Sequence, residues 1–156
     1  MKIWKYILPE HVFLDAPLPD KASVFHFVAK TLAHCGAIGD AAMLCAGMQM
    51  REETMSTGIG RGIGIPHTVS QEAKDPVVIL IRAAKPIDYE SLDKLPVDIV
   101  MALVVPVNQT DLHLRMLAGI SRLCNQPDFL KTVRKATQPD VLWHEIKRFE
   151  EEMAFH

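Results

Sequence analysis

The chain has 156 residues, 49% of them apolar, which is enough for one domain of ordinary size with a single buried core spanning residues 1–156. Charged residues make up 23% and the formal net charge is -2, so no broad basic surface is available for a phosphate backbone and no nucleic acid partner is expected. No apolar run approaches the length of a membrane span, and the start MKIWKYILPEHVFLD lacks the apolar core of a signal peptide. We therefore expect a cytoplasmic protein with no direct membrane insertion.

Two amphipathic helices are predicted after a short N-terminal strand. In PDKASVFHFVAKTLAHCG, Asp20 is the predicted N-cap, apolar residues recur every four positions, and Gly36 ends the helix. The segment GDAAMLCAGMQMREE repeats this pattern with Asp40 as the cap. The second helix is predicted to end near Arg51 or a little beyond, at the edge of a glycine-rich stretch.

Two apolar runs, PVVILIRAA and VDIVMALVVPV, show almost no polar alternation, which is typical of strands covered on both faces. The polar segment KPIDYESLDKLP between them predicts a surface connection. Three further helices are predicted in QTDLHLRMLAGISRLCN, PDFLKTVRKA and TQPDVLWHEIKRFEEEM, the last with a frayed final turn because its acidic end opposes the helix dipole. This order predicts an α/β fold, a three-layer α/β/α sandwich with a mixed sheet.

The stretch STGIGRGIGIPHTVS, residues 56–70, places four glycines at alternate positions before a proline and His67. This spacing fits neither a dinucleotide fingerprint nor a P-loop. One interpretation is structural, because glycines permit turns and the alternating isoleucines form a short core strand. The other is that the glycines bare a surface on which a phosphoryl group or another backbone can approach the imidazole. Pro66 would then hold this histidine on a restrained backbone.

The segment REETMSTGIGRGIGIPH resembles the active-site signature of the fructose/mannitol-type enzyme IIA domains of the bacterial phosphoenolpyruvate phosphotransferase system, closest to their nitrogen-regulatory (PtsN-like) branch. The likeness covers essentially the whole chain, since PIDYESLDKLPVDIVMALVVPVNQTDLHL fits the family's order of strand, loop, strand and helix. It implies a single enzyme IIA type 2 domain with a phosphotransferase/anion-transport-protein-like fold. The chain departs from the common family pattern at Gly64, where alanine is usual, and at Thr68, where glycine is usual.

The resemblance implies that His67 accepts a phosphoryl group on Nε2. It also implies catalytic roles for Arg51, which opens the motif, and for His113, at the head of a later helix. A transferring phosphoryl group needs donors around its equatorial oxygens, and Ser56 and Thr57 are the candidate phosphate-binding residues. No metal and no other cofactor is expected, because the chain has no cluster of carboxylates with histidine or cysteine at ligand spacing.

The expected partners are an HPr-like phosphocarrier protein as donor and a downstream acceptor or regulated protein. Both would dock on the glycine-rich surface, at the candidate residues Met55, Ile59, Gly60, Gly62 and Ile63. The chain would then be a phosphohistidine carrier and not a stand-alone multiple-turnover enzyme. Three roles stay open. The favoured role is a regulatory, nitrogen-related phosphocarrier, because no fused membrane or cysteine-bearing acceptor domain is visible. The others are a sugar-transport enzyme IIA subunit and a non-catalytic binding module in which Thr68 narrows the docking surface.

Overall fold

A six-stranded mixed sheet lies at the centre of the computed structural model, which describes residues 1–153. The strands are β1 (Val12–Ala16), β2 (Gly58–Gly60), β3 (Ile63–Gly64), β4 (His67–Ser70), β5 (Val77–Ile87) and β6 (Val97–Pro106). The helices are α1 (Lys21–His34), α2 (Ala41–Thr54), α3 (Thr110–Cys124), α4 (Pro127–Lys135) and α5 (Pro139–Met153). Two short 3-10 turns, Ile3–Tyr6 and Pro9–His11, precede β1.

The strand β6 is the centre of the sheet, and the strand order is β1-β5-β6-β3-β2. Strand β6 is antiparallel to β5, and β5 is parallel to the edge strand β1. On its other side β6 pairs in parallel first with β3, where Ile63 lies opposite Ile99, and then with β4, where His67 lies opposite Leu103. The prediction of a mixed sheet is confirmed.

Helices cover both faces of this sheet, which confirms the predicted three layers. One buried cluster joins α1 and α2 to the sheet, with Val28 and Met48 among its members. The other joins α3, α4 and α5 to the opposite face, with Phe129 and Ile146 fully buried. Because both faces are covered, β6 is apolar almost throughout, and only Asp98 within it is partly exposed.

The helix starts follow the predicted capping residues. The side chain of Asp20 accepts a hydrogen bond from the backbone N–H of Ser23 at 2.7 Å, and Asp40 accepts one from Met43 at 3.0 Å. The helix α2 continues past Arg51 to Thr54. Within residues 1–153, no helix combines the length and the apolar character that crossing a membrane requires.

The segment predicted as a surface connection is only partly exposed. Its first residues extend β5 as far as Ile87, and Tyr89 is completely buried. Ser91 is also buried, at 6% exposure, against Gly58. The prediction failed there because a polar run with prolines does not reveal that one aromatic side chain returns to the core.

The acidic end of α5, predicted to fray, is helical as far as Met153, and Glu150 has partners elsewhere in the fold. Its carboxylate is 8% exposed and accepts hydrogen bonds from the N–H groups of Ile3 at 2.8 Å and Trp4 at 2.6 Å. Its backbone carbonyl accepts another from the ammonium of Lys2. The end of α5 therefore binds the 3-10 turn at the start of the chain, and these contacts offset the unfavourable dipole.

Candidate functional site

His67 is the first residue of β4 and lies directly beside the central strand. The carbonyl of Pro66 accepts a hydrogen bond from the N–H of Leu103 at 2.9 Å, and β4 then pairs residue for residue with β6. The imidazole itself is half-buried. The backbone of this histidine is thus fixed by the sheet while its ring reaches the surface.

A hydrogen bond sets the tautomer of the His67 ring. Its Nδ1 lies 2.7 Å from the carbonyl oxygen of Ile65, and a carbonyl can only accept, so Nδ1 carries the proton. The lone pair of the neutral ring is therefore on Nε2. The geometry agrees with the sequence-based expectation that Nε2 is the acceptor atom.

The structure brings the three predicted catalytic residues together. The rings of His67 and His113 meet edge to face, with their centroids 5.4 Å apart. Nε2 of His113 is buried and, within the described residues, has no hydrogen-bond partner. Arg51 lies in the last turn of α2, and its Nη1 donates to the carbonyl of Met55 at 3.3 Å.

Both imidazoles are kept neutral by their surroundings. Burial is the main cause that lowers the pKa of His67, and the charge of Arg51 lowers it further, although the Ile65 hydrogen bond and the negative charge of Glu52 act in the opposite direction. Burial also lowers the pKa of His113, followed by repulsion from His67 whenever that ring is protonated and by the charge of Arg51. At neutral pH the site therefore holds two uncharged rings beside one guanidinium.

The predicted phosphate-binding residues have other partners within the fold. Ser56 is half-buried, and its hydroxyl donates to the carbonyl of Tyr89 at 3.1 Å and accepts from the N–H of Gly58 at 3.1 Å. Thr57 is 5% exposed, and both its N–H and its hydroxyl donate to the carboxylate of Glu52. The prediction that Thr57 offers these donors to a phosphoryl group is wrong, because Glu52 already occupies them.

The candidate docking residues separate into exposed and buried groups. Met55 is 59% exposed, Ile59 is 45% exposed, and Gly60 is partly exposed. Ile63 is completely buried in the core cluster on the α3, α4 and α5 side of the sheet, and Gly62 is buried beside the ion pair of Asp98 and Arg134. The prediction that Gly62 and Ile63 contact a partner is wrong, because both residues are buried within the fold. Side chains along a strand point alternately to its two faces, and the side chain of Ile63 points to the core.

Sequence reasoning missed exposed apolar residues in the two segments that carry the site histidines. Val69, two positions after His67 on the same side of β4, is 48% exposed, and Leu114, next to His113, is 61% exposed. A period-two pattern beginning at His67 could have revealed Val69. Thr68 points the other way, with its hydroxyl against Gly47 of α2, so its side chain does not cover the imidazole.

Fold and site together define a mixed-sheet α/β domain that presents one neutral, oriented histidine beside a second imidazole and a guanidinium. Residues 5–149 match the family model of the phosphoenolpyruvate-dependent sugar phosphotransferase system, EIIA 2, and the chain belongs to this family. The resemblance found in the motif is thereby confirmed.

Individual relatives agree with this assignment. The chain is 31% identical over 153 residues to the nitrogen regulatory protein homolog of Haemophilus influenzae, covering 92% of this chain and 89% of the relative. It is 29% identical over 137 residues to the fructose-specific EIIA component of Haloferax volcanii, covering 85% and 89%. The crystal structure of the nitrogen regulatory protein IIA-Ntr from Neisseria meningitidis superposes with a TM-score of 0.86 at 24% identity, covering 92% and 98%, and therefore has the same fold.

Proposed function

We propose that this protein is a phosphocarrier that accepts a phosphoryl group on Nε2 of His67 from the phosphohistidine of an HPr-like donor protein. It then passes the group to a downstream acceptor or acts through it as a regulatory signal. The observation that carries this proposal is the 2.7 Å contact between Nδ1 of His67 and the carbonyl of Ile65, which leaves the Nε2 lone pair available.

The transfer needs no separate base. The Nε2 lone pair forms the new N–P bond while the N–P bond of the donor histidine breaks, and the donor ring keeps the released electron pair. Nδ1 of His67 keeps its proton and its bond to Ile65, so the phosphorylated ring becomes cationic. A neutral acceptor ring is required for this step, and the lowered pKa of His67 supplies it at neutral pH.

Two groups are suited to receive the charge on the phosphoryl oxygens. The guanidinium of Arg51 is close enough to lower the pKa of both site histidines, and within residues 1–153 it forms no ion pair with a carboxylate. Among residues 1–153, Nε2 of His113 has no hydrogen-bond partner, and it can donate a hydrogen bond once it carries a proton. Both groups stabilise equatorial charge in a loose transition state.

The nitrogen-regulatory role is the one we favour over sugar uptake. The support is the relative at 31% identity, which is a nitrogen regulatory protein homolog. The relative from Haloferax volcanii, named a fructose-specific component, supports the sugar-transport alternative. The position of Thr68 against Gly47 argues against the non-catalytic module, since this side chain leaves the histidine open to a partner.

Exposed apolar side chains in the segments that carry the site suit brief docking of a donor and an acceptor. This docking surface consists of Met50, Met55, Ile59, Val69 and Leu114, all of them at least 45% exposed. Flexible methionines adapt to more than one partner. A carrier needs this property, because donor and recipient must reach the same ring in turn.

The test is incubation with labelled phosphoenolpyruvate, enzyme I and HPr. We expect an acid-labile, base-stable label on the wild type and none on His67→Ala, whereas His144→Gln, at an exposed histidine of α5, keeps the label. Labelled HPr in the same reaction verifies the donor. An unlabelled wild type beside labelled HPr would overturn the proposal and favour the binding module.

A further inference from the structure

We propose that Glu52, neutralised by Lys21, is a positioning residue that orients His67 through Thr57 and the backbone beneath the ring. This inference rests on the proposed function and deepens it, because it assigns the groups that hold the acceptor in place. Sequence reasoning did not select Glu52 or Lys21.

Glu52 is a buried carboxylate with all its partners supplied by the fold. It is 9% exposed, and its Oε1 accepts from the N–H of Thr57 at 3.0 Å and from the ammonium of Lys21 at 2.9 Å. Its Oε2 accepts from the hydroxyl of Thr57 at 2.6 Å. A carboxylate held this tightly fixes the residue it binds, because release would leave a buried charge without partners.

Two hydrogen bonds connect Thr57 to the histidine ring. The carbonyl of Thr57 accepts from the N–H of Ile65 at 2.9 Å, and the carbonyl of Ile65 is the partner of Nδ1 of His67 at 2.7 Å. The side chain of Glu52 is therefore linked to the His67 ring through the backbone of only two residues, Thr57 and Ile65. A shift of Thr57 would move the carbonyl that sets the tautomer of His67.

Tyr89 fixes the same assembly from the other side. Its hydroxyl lies 3.0 Å from the hydroxyl of Thr57, and since Thr57 donates to Glu52, Tyr89 is the donor in this contact. The ammonium of Lys21 lies 4.7 Å from the centre of the Tyr89 ring. The ring also packs against Gly64, where a Cβ would come within 3.0 Å of it, so the strand that leads to His67 is held on both sides.

The charge of Glu52 also acts on the ring through space. Two charged side chains act on the His67 ring in opposite directions: the cation of Arg51 lowers the pKa of the imidazole, whereas the anion of Glu52 raises it. Phosphorylation at Nε2 leaves the ring cationic, and a nearby anion favours that state. Position and charge therefore act in the same direction.

The first test separates the hydroxyl of Thr57 from its shape. Thr57→Val keeps the branched side chain and the backbone contacts but leaves Tyr89 and Glu52 each short of one partner. We expect kcat/KM for phosphoryl acceptance from HPr to fall about tenfold, and Thr57→Ser to restore it to within about threefold. Equal rates for Thr57→Val and the wild type, with both folded by near-ultraviolet circular dichroism, would overturn the proposal.

The second test measures the ring directly, without any phosphoryl transfer. NMR titration of the imidazole gives the tautomer and the titration midpoint of His67 in Glu52→Gln and in the matched control Glu53→Gln, whose side chain is exposed. We expect a lower midpoint and mixed tautomers only in Glu52→Gln. If that variant does not fold, the double variant Lys21→Met/Glu52→Gln removes both charges and is titrated instead.

These outcomes are distinguishable from failure of the proposed function. An unlabelled wild type would refute the phosphocarrier role, whereas the titration still reports whether Glu52 sets the state of the ring. A labelled wild type with an unchanged midpoint and tautomer in the Glu52 variant would refute the positioning role alone.

Discussion

Removal of the guanidinium at position 51 gives a direct test of how the site handles phosphoryl charge. Arg51→Gln keeps a polar side chain of similar helix propensity, but it shortens the side chain and removes the positive charge and the guanidinium donors. In the structure this guanidinium has one weak internal hydrogen bond, to the carbonyl of Met55 at 3.3 Å. The free energy of unfolding should therefore change by no more than about 0.5 kcal/mol.

The effect on transfer should be much larger than the effect on stability. Loss of one donor to a developing anion in a closed site costs about 3 to 4 kcal/mol. Arg51 is partly exposed, so solvent screens part of this interaction and we take about 2 kcal/mol, which corresponds to a fall of about 30-fold in kcat/KM. The charge also lowers the pKa of His67 and His113, so both pKa values should rise in the variant.

The assay combines quenched-flow phosphoryl transfer from HPr with NMR titration of the two imidazoles. Arg122→Gln is the matched control, because Arg122 is exposed in the last turn of α3, as Arg51 lies in the last turn of α2. The reasoning would be refuted if Arg51→Gln transferred within twofold of the wild type. Unchanged titration midpoints of both histidines would refute it equally.

Three further predictions concern stability. His11 is 3% exposed and burial lowers its pKa, so just below pH 6.5 the folded state binds fewer protons than the unfolded state. The free energy of unfolding should therefore fall in this range as pH decreases, by up to about 1.4 kcal/mol per pH unit. Urea titrations should show a smaller slope for His11→Gln. Glu150→Gln should lower the free energy of unfolding by about 2 to 3 kcal/mol in chemical denaturation, and Glu151→Gln should leave it almost unchanged, since Glu150 is buried and Glu151 is exposed. Equal values for the two variants would contradict the anchoring contact of Glu150. Gly58→Ala should cost about 1 to 3 kcal/mol because its Cβ overlaps the side chain of Ser91, and Ser91→Gly should recover most of this loss in a thermal melt.

Periodicity and capping chemistry made much of the fold predictable. The capping aspartates, the two apolar strands and the helices that follow them appear where the pattern placed them, because apolar spacing reports directly which face is buried. The pairing of β1 with β5 was beyond such reasoning, since parallel pairing joins segments far apart in the chain.

The site was predictable where a motif names residue types and not where a contact depends on tertiary packing. The motif singled out His67 and His113, and the structure places their rings together. Ile63 was misassigned because alternation identifies two faces without saying which one is buried. Glu52 was overlooked because a glutamate on a helix is ordinarily solvated, and its burial depends on Lys21 from another helix.

The continuous pairing of β4 with β6 has a consequence for how a partner could tell two forms of this protein apart. Every residue from His67 to Ser70 is in register with a residue of the central strand, so the sheet holds the backbone of this segment in place. Phosphorylation would then change the charge of this surface and not its shape. A partner protein would distinguish the two forms by the negative charge added at one fixed position on a surface of otherwise unchanged shape.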